Sequence, residues 1–341
     1  MVPDITVIIP VRNGSQTLSL CLDSVFRSEG IRRGPEVIVV DDASEDDSAE
    51  VAAQFPVQLI RLNRSLGGGL TRNPGVERAH AGILLFTDAD VELEPQTLRL
   101  VMESFRARPG LHALFGAYSK DCPRPDFLSQ YKNLHHHFIH WTAAGRATTF
   151  WTGCGAVRRE VFLQVGGFRS VPYIYDVDLG YRLSAAGYRV EVLPHIQVRH
   201  HKQYTPWTLL RSEVLERAVP WTELLWEHRR LLGGLNTRPS HVFSVAAVYL
   251  GLLSALLPWS AGGKAVGPLI ALLGVCLLNW RWAAFCVEER GVGFALRALV
   301  MELFYFFYSG FGLVLGTVLW GARTAFGRLS RAFGPGLRNR P

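Results

Sequence analysis

The chain has 341 residues, 48% of them hydrophobic, and its formal net charge is +7. This apolar content, with 9 Trp and 19 Phe, excludes an intrinsically disordered chain and suits one large domain or two modest ones. The positive charge favours an acidic partner, of which nucleic acid, anionic lipid and a phosphorylated substrate are the candidates.

Cysteine usage indicates the compartment. The five cysteines include no CxxC pair, and an odd number cannot all pair internally, so we predict reduced thiols in a cytosolic compartment. A strand-like run, ITVIIPV, begins at Ile5 with no basic segment before it, so we expect no signal peptide.

Up to about residue 200, apolar runs alternate with amphipathic runs. The runs ITVIIP, EVIVV, VQLIRL, ILLFT and HALFGAY are predicted strands, and helices are predicted between them. Ser44 with Asp47 resembles the N-cap of one of these helices. Strands that alternate with helices predict a mostly parallel sheet covered on both faces, with ligands bound beyond the carboxyl ends of the strands.

Two of those predicted strand ends are acidic. Asp41 and Asp42 follow the second strand, and Asp88 and Asp90 follow the fourth. Residues two apart in an extended segment point the same way, so Asp88 and Asp90 are predicted to face one ligand. Mg²⁺ or Mn²⁺ would suit two carboxylates together with substrate phosphates. A solvated acidic loop is the alternative, and the second acidic strand end argues against it.

Beyond about residue 240 the chain is strongly apolar. The runs 242–259, 265–287 and 298–322 have lengths that suit a hydrocarbon core about 30 Å thick, and a buried helical hairpin is the alternative. Before them, apolar residues at helical spacing predict helices lying in the membrane interface or on an ordinary protein surface. We therefore expect an α/β domain over 1–203, interface helices over 204–240, two or three membrane helices over 241–322 and a basic tail over 323–341.

Several segments resemble the motifs of a known family. ITVIIPVRN, VIVVDDASEDDS and LGGGLTRNPGVERAHAGILLFTDADV resemble, in order, the three opening motifs of family 2 glycosyltransferases. GCGAVRREVFLQVGGF and YDVDLGYRLSAAGYRV are similar to the acceptor-side motifs of that family. The resemblance covers roughly residues 4–200 and is strongest to members with membrane helices after the catalytic domain. It implies an α/β fold of the GT-A nucleotide-diphospho-sugar transferase type, with a Rossmann-like, mostly parallel sheet.

The resemblance also implies a set of nucleotide-binding residues. Pro10 and Val11 would line the nucleoside pocket. Asp42, preceded by Asp41, matches the acid that accepts a hydrogen bond from the base, typically uracil. Arg72 matches a position near the nucleotide, where a guanidinium could bind base or phosphate.

The reacting groups implied by the resemblance are also acids. Asp88 and Asp90 match the DxD motif, with Asp90 the firmer metal ligand, and Asp176 matches the general base of inverting members. The family has Glu where this chain has Tyr175, which alters the neighbour of the base. Asp178, two residues further along the same predicted helix, is the alternative base.

Histidines offer two further candidates. His200 falls where some relatives have a third metal ligand. His136 and His140 have a spacing that could share a metal, but an apolar stripe around them favours an amphipathic helix with the histidines on its wetter side.

These expectations combine into a function. The chain is predicted to be a multi-pass membrane glycosyltransferase, inverting and metal-dependent, with its catalytic domain on the cytoplasmic side of a bacterial inner membrane. It would move one sugar from a UDP- or GDP-sugar to a hydroxyl of a lipid-linked or membrane-borne glycan in cell-envelope polysaccharide biosynthesis. The QxxRW motif of processive synthases is absent, which favours single additions.

Alternatives remain for the acceptor and the partner. A polyprenyl phosphate could replace the hydroxyl, and a non-catalytic nucleotide-sugar-binding scaffold is a third hypothesis. We expect membrane lipids as the basic surface's partner and no nucleic acid, because Arg residues cluster beside the apolar runs and in the tail. The number of crossings is open, since three would place the Arg-rich tail opposite the catalytic domain, against the usual preference for cytoplasmic positive charge.

Overall fold

The computed structural model describes residues 3–228, 238–257 and 263–333, with side chains as far as residue 325. The described chain forms two compact units. The first ends at Pro206, and the second contains the described residues from Trp207 onwards. Residues 229–237 of the predicted interface helices, 258–262 of the predicted membrane region and 334–341 of the basic tail lie outside the described residues.

Strands of the first unit form one sheet, which has nine strands among the described residues. Their order is β3-β2-β1-β4-β8-β6-β9-β5, with β7 paired to β9. The strands are β1 Thr6–Val11, β2 Glu36–Asp41, β3 Gln58–Arg61, β4 Ile83–Thr87, β5 Val91–Leu93, β6 Ala113–Tyr118, β7 Gly145–Ala147, β8 Cys154–Arg158 and β9 Val190–His200.

Helices of the first unit connect these strands. They are α1 Ser15–Phe26, α2 Ser48–Ala52, a 3₁₀ turn Leu70–Arg72, α3 Asn73–Arg78, α4 Thr97–Ala107, α5 Phe127–Thr142, α6 Arg159–Gln164 and α7 Tyr175–Ala185.

The sheet is parallel in one half and mixed in the other. Strands β3, β2, β1 and β4 pair in parallel, as predicted. Beyond β4 the prediction of a mostly parallel sheet is wrong, because β8 runs antiparallel between β4 and β6, and β9 pairs antiparallel with β5. Strand β8 is a five-residue run, CGAVR, that contains a glycine and ends in Arg158, so its periodicity alone did not predict a strand.

Both faces of the sheet are buried. In β1, Val7 and Ile9 contribute to one core cluster and Ile8 to the other, because side chains alternate across a strand. Helices α1 and α4 pack on the first face, and α3, α6 and α7 pack on the second. The prediction that helices cover both faces is confirmed.

The second unit is helical throughout its described residues. Its helices are α8 Pro206–Glu213, a π-helical turn Val214–Ala218, α9 Val219–His228, α10 Pro239–Ala255, a 3₁₀ turn Gly263–Ala265, α11 Val266–Leu278, α12 Trp280–Arg290 and α13 Val292–Phe333.

A multi-pass arrangement is not supported by the described helices. The part of α13 from Val292 to Ala325 is long and apolar enough to cross a membrane, and α11 with α12 reaches that length only as a pair bent by 69°. Asn279 lies at this break, and its side-chain amide donates to the Ser244 hydroxyl and the Val275 carbonyl, both at 2.9 Å. Helix α10 has 17 residues and is shorter than a typical span.

Candidate active site

The parallel half of the sheet brings the predicted site residues to one edge. Because β2, β1 and β4 run in parallel, their carboxyl ends lie on the same side, where Asp41 ends β2, Val11 ends β1 and Asp88 directly follows β4. The non-glycine residues with positive φ in the described chain are Asn13 (53°), Ala43 (58°) and Tyr173 (65°). Asn13 and Ala43 lie directly beyond β1 and β2, and Tyr173 lies before α7, so uncommon backbone conformations gather around this edge.

Asp42 anchors a loop. Its Oδ1 accepts from the Leu66 amide at 2.7 Å, and its Oδ2 accepts from the Ser65 hydroxyl at 2.7 Å and the Gly67 amide at 3.3 Å. Burial raises the pKa of Asp42, but the hydrogen bonds, led by that from Leu66, outweigh this effect and lower the pKa below its ordinary value. Asp42 is therefore an ionised acceptor that holds residues 65–67 in place.

Of the other residues predicted for the nucleoside pocket, Asp41 and Val11 are buried like Asp42, which is 5% exposed. Asp41 is 1% exposed, and its Oδ1 accepts from the Ser44 amide at 2.9 Å. The Val11 side chain is 2% exposed and belongs to the core, whereas its carbonyl accepts from the Asp42 amide at 2.8 Å. Pro10 is half-buried. Asp41 thus stabilises the loop after β2 through its side chain, and Val11 contacts that loop through its backbone carbonyl.

Arg72 is an internal clamp. Arg72 is the last residue of the 3₁₀ turn, and it is 1% exposed. One terminal nitrogen donates to the Asp88 carboxylate, and the other donates to the Gly68 carbonyl and, at 3.1 Å, to the Tyr175 hydroxyl. The guanidinium carbon lies 5.1 Å from the centre of the Tyr175 ring, while Nε is buried without a hydrogen-bond partner.

Charges around Arg72 link Asp88 to Asp176. Burial would lower the pKa of Arg72, but Tyr175, Asp88 and Asp176 together raise it. Burial raises the pKa of Asp88, Arg72 opposes that rise, and Asp90 adds to it, so the pKa stands above its ordinary value. Arg72 is thus the fixed counter-charge of Asp88.

Asp90 faces a different partner from Asp88. Strand β5 pairs antiparallel with β9, with Val91 opposite His200, and this register brings His200 Nε2 to 3.3 Å from Asp90 Oδ2. The His200 ring stacks on Tyr118, with centroids 4.5 Å apart and planes 7° apart. Burial raises the pKa of Asp90, but His200 and Lys202 outweigh it and lower the pKa.

The donor set at this point fits a hard divalent cation in part. A carboxylate and an imidazole nitrogen face each other, and Mg²⁺ in proteins typically uses one or two carboxylates with water and substrate phosphates completing its shell. Among the described residues, no three His, Cys, Asp or Glu side chains converge on one point. Asp90 and His200 therefore suit a shared site that a substrate diphosphate completes.

Asp176 and Asp178 differ in their surroundings. Both lie in the first turn of α7. Asp178 is 3% exposed and forms an ion pair with Arg182 at 2.8 Å, and Arg182 also donates to the Val165 and Gly167 carbonyls. Asp176 is half-buried, and its Oδ1 accepts from the Val177 amide at 2.8 Å. The structural role of Asp178 makes Asp176 the stronger candidate for a base.

Three α5 histidines, His135, His137 and His140, are buried, and His136 is half-buried. His140 is 3% exposed, and its Nδ1 lies 2.8 Å from the Gly116 carbonyl of β6. The rings of His136 and His140 both lie 5.0 Å from Trp151. The prediction of histidines on the wetter side of α5 is wrong, because strand carbonyls and aromatic rings accommodate them inside, while Trp141 is 51% exposed.

Sequence reasoning passed over three residues of this site. Tyr175 was noted only as a departure from the family, yet it contacts Arg72. Lys202 acts electrostatically on both Asp88 and Asp90. Tyr118 ends β6 and stacks on His200. Of these three residues, only Lys202 could have been found from the sequence, because it is a cation directly after residues 199–201, RHH.

The chain is similar in sequence to known proteins. Residues 6–166 match the family described as "Glycosyl transferase family 2". An uncharacterized protein of Mycobacterium tuberculosis (strain CDC 1551 / Oshkosh) is 29% identical over 63% of this chain and 73% of its own length. An N-acetylglucosaminyl-diphospho-decaprenol L-rhamnosyltransferase of the same strain is 36% identical over 29% of this chain, a match that spans only 30% of that relative.

The fold is also shared with a solved structure. A mannosyltransferase from Pyrobaculum calidifontis, in complex with GDP-Man and Mn²⁺, superposes with a TM-score of 0.55 at 20% identity and covers 89% of this chain and 88% of that one. The first compact unit therefore has the GT-A fold, and its residues 6–166 match glycosyl transferase family 2.

Proposed function

We propose that the chain is a membrane-associated inverting glycosyltransferase that moves one sugar from a UDP- or GDP-sugar to a hydroxyl of a lipid-linked or membrane-borne glycan. The observation that carries the proposal is the buried Arg72, which pairs with the Asp88 carboxylate and donates at 3.1 Å to the hydroxyl of Tyr175, the residue directly before Asp176. The DxD motif and the candidate base would then lie around one fixed positive charge.

The nucleotide base would bind beside Asp42. A carboxylate has about four lone-pair sites. Three of them accept from the Ser65 hydroxyl and from the amides of Leu66 and Gly67, and the Thr71 hydroxyl also helps to lower the pKa of Asp42. A base with an imide or amide N–H, which uracil and guanine present and adenine does not, would replace Thr71, whose hydroxyl also donates to the Gly67 carbonyl at 2.9 Å. The pKa of Asp42 is lowered, so the acceptor stays ionised at neutral pH.

Asp90 and His200 would hold Mg²⁺ or Mn²⁺, and Asp88 would assist through its neighbouring position. A bound cation would neutralise charge on the departing diphosphate. Lys202, whose charge lowers the pKa of Asp90, adds a permanent cation on the same side and favours a phosphate-rich ligand.

Asp176 would act as general base. In a single displacement its carboxylate takes the proton of the acceptor hydroxyl while the hydroxyl oxygen bonds to the anomeric carbon. The bond from that carbon to the diphosphate oxygen breaks on the opposite face, so the configuration inverts. A positioned base typically contributes about 10²- to 10⁴-fold to the rate.

The second unit supports association with a membrane. Helix α13 exposes an apolar stripe at helical spacing while Ala298, Glu302 and Phe306 are buried. The stripe consists of Val292, Leu296, Val300, Phe304, Phe307, Phe311, Val314 and Val318. We propose lipid as the cover for this stripe and the cytoplasmic face of a bacterial inner membrane as the location.

The function is tested by incubating the full chain with a bacterial membrane-lipid extract and separate UDP- and GDP-sugars, followed by mass spectrometry. We expect one added hexose-type residue on a lipid-linked saccharide, with the diphosphate released. Addition directly to polyprenyl phosphate would favour that acceptor instead, and binding without any product would favour a scaffold.

The location is tested separately by fractionation. We expect the full chain to stay with membranes after washing with high salt and with alkaline carbonate. Release into the supernatant by the carbonate wash would contradict insertion of α13.

A further inference from the structure

We propose that Tyr175 is a positioning residue that couples the glycine loop of residues 67–69 to the first turn of α7. The inference deepens the proposed function and rests on it. A single side chain, that of Tyr175, would position both the glycine loop and the start of the helix that carries the candidate base Asp176.

The loop backbone lies against the Tyr175 ring. A Cβ added at Gly68 would lie 2.8 Å from Cε1 of Tyr175 and 3.1 Å from its hydroxyl oxygen. A Cβ added at Gly69 would lie 2.6 Å from Cγ of the same ring. Both positions therefore need glycine because of Tyr175.

Gly67 needs glycine for another reason. Its φ is +83°, and an added Cβ would meet nothing within 4 Å. The backbone conformation alone disfavours a side chain there. Gly67 is thus favoured by its backbone conformation, whereas Gly68 and Gly69 are favoured because the Tyr175 ring leaves no room for a Cβ.

Tyr175 also holds the guanidinium that pairs with Asp88. Its hydroxyl accepts from Arg72 at 3.1 Å, and the edge of its ring meets Phe168 with centroids 5.6 Å apart and planes at 87°. A neutral phenol accepts this hydrogen bond without competing for the positive charge. A carboxylate at position 175 would divide the Arg72 charge with Asp88.

The loop is held on its other side by Asp42. The amides of Leu66 and Gly67 donate to that carboxylate, so residues 66–69 lie between Asp42 and the Tyr175 ring. Tyr175 is the first residue of α7, directly before Asp176, and the left-handed Tyr173 fixes the turn that leads into the helix. Displacing the loop therefore requires displacing the start of the helix that carries the candidate base.

A double-mutant cycle tests the coupling. Tyr175→Leu removes the ring tip that a Cβ at position 68 would meet, so Gly68→Ala and Tyr175→Leu should not be additive. We expect each single variant to raise the Kd for UDP or GDP, measured calorimetrically with Mn²⁺, by about tenfold, or 1.4 kcal/mol. The double variant should bind within about threefold of the weaker single variant, because coupled residues lose additivity.

Gly67→Ala is the matched control. Its cost comes from backbone strain, which Tyr175→Leu does not relieve, so those two changes should be additive. Tyr175→Phe keeps the ring and should weaken binding by less than about threefold.

Hydrogen exchange of the Leu66 and Gly67 amides, measured on the full chain without nucleotide, separates this inference from the proposed function. We expect faster exchange in Tyr175→Leu and Gly68→Ala and wild-type exchange in Tyr175→Phe. Wild-type exchange in Tyr175→Leu, or additivity in the Gly68→Ala cycle, would overturn the positioning role. If the chain binds neither UDP nor GDP, the proposed function fails. The hydrogen-exchange measurements would still decide the positioning role of Tyr175.

Discussion

The site has two sides, one formed by the loop that contains residues 65–69 and the other by strand β9, and the acids on the two sides have different partners. On the loop side, Asp42 accepts from the loop backbone and a serine, and Asp88 pairs with the buried Arg72. On the strand side, Asp90 faces only an imidazole at 3.3 Å among its ion-pair partners in the described residues. The two side chains of the DxD motif are equally accessible, at 35% each, so exposure does not separate them. The two acids differ in their partners. Asp88 is held by the buried Arg72 as part of the site, whereas Asp90 beside His200 is available to a ligand.

The largest effect should come from the strand side. Asp90→Ala is expected to abolish sugar transfer and sharply weaken Mn²⁺-dependent donor binding, because His200 would then be the one protein donor left of the proposed pair. Calorimetric titration of the donor sugar with and without Mn²⁺, together with a transfer assay in EDTA, measures this. Glu160→Ala, at an exposed acid on α6, is the control and should bind and transfer normally. Full activity in EDTA would refute the metal requirement.

The next effect concerns the base. Asp176→Asn keeps the shape of the side chain and removes its basicity, so turnover should fall by about 10²- to 10⁴-fold while nucleotide affinity stays nearly unchanged. Steady-state kinetics with the natural acceptor and calorimetry with UDP and GDP separate the two quantities.

The same variant distinguishes the acceptors. A polyprenyl phosphate is already ionised at neutral pH and needs no base, so near-normal turnover in Asp176→Asn would move the phosphate acceptor to first place. The control is Glu160→Gln. Asp178→Asn is not a suitable control, because it would also remove the buried ion pair with Arg182.

Asp178 should affect stability and leave chemistry unchanged. Asp178→Asn leaves Arg182 without its buried counter-charge, and removing one partner of such a pair typically costs about 3–5 kcal/mol in free energy of unfolding. Glu103→Gln breaks an exposed pair with Arg99 at the same i,i+4 spacing and should cost under about 0.5 kcal/mol. Denaturant unfolding of both variants measures the contrast, and equal costs would contradict the structural role of Asp178.

How far the sequence predicts this site depends on which contacts are local. The parallel strands β1, β2 and β4 were predictable because each is a continuous apolar run that ends at acids or a turn, and the same runs carry the family motifs. The GT-A fold was implied by the family resemblance that those motifs carry. The pairing of β5 with β9 joins residues more than a hundred positions apart, and β5 is only three residues long. The approach of His200 to Asp90 therefore depended on a register that no local pattern encodes.

Tertiary partners also overrode local preferences. Ser44 was predicted to cap a helix with Asp47, but its hydroxyl accepts from the Asn13 amide at 3.0 Å and α2 begins at Ser48. The chain thus uses Ser44 to join the loops after β1 and β2. The α5 histidines were predicted to lie on the wetter side of the helix, but His140 and His137 are buried because Gly116 and Tyr118 of β6 offer carbonyls to them. Polar residues can be buried wherever a distant strand supplies their partners.

The smallest effect tests the loop side through pH. The folded pKa of Asp42 lies below its ordinary value, so its contribution to stability is fully present above the unfolded pKa of about 3.9 and is lost as the pH falls through the lower folded value. Protonation removes the charge that the amides of Leu66 and Gly67 and the Ser65 hydroxyl stabilise. The difference in Tm between the wild type and Asp42→Asn should therefore be constant from pH 7 to about pH 5 and shrink below about pH 4. A difference that grew on acidification would mean that the loop prefers the protonated acid, and Asp42 would then lose its place as the ionised acceptor on the loop side.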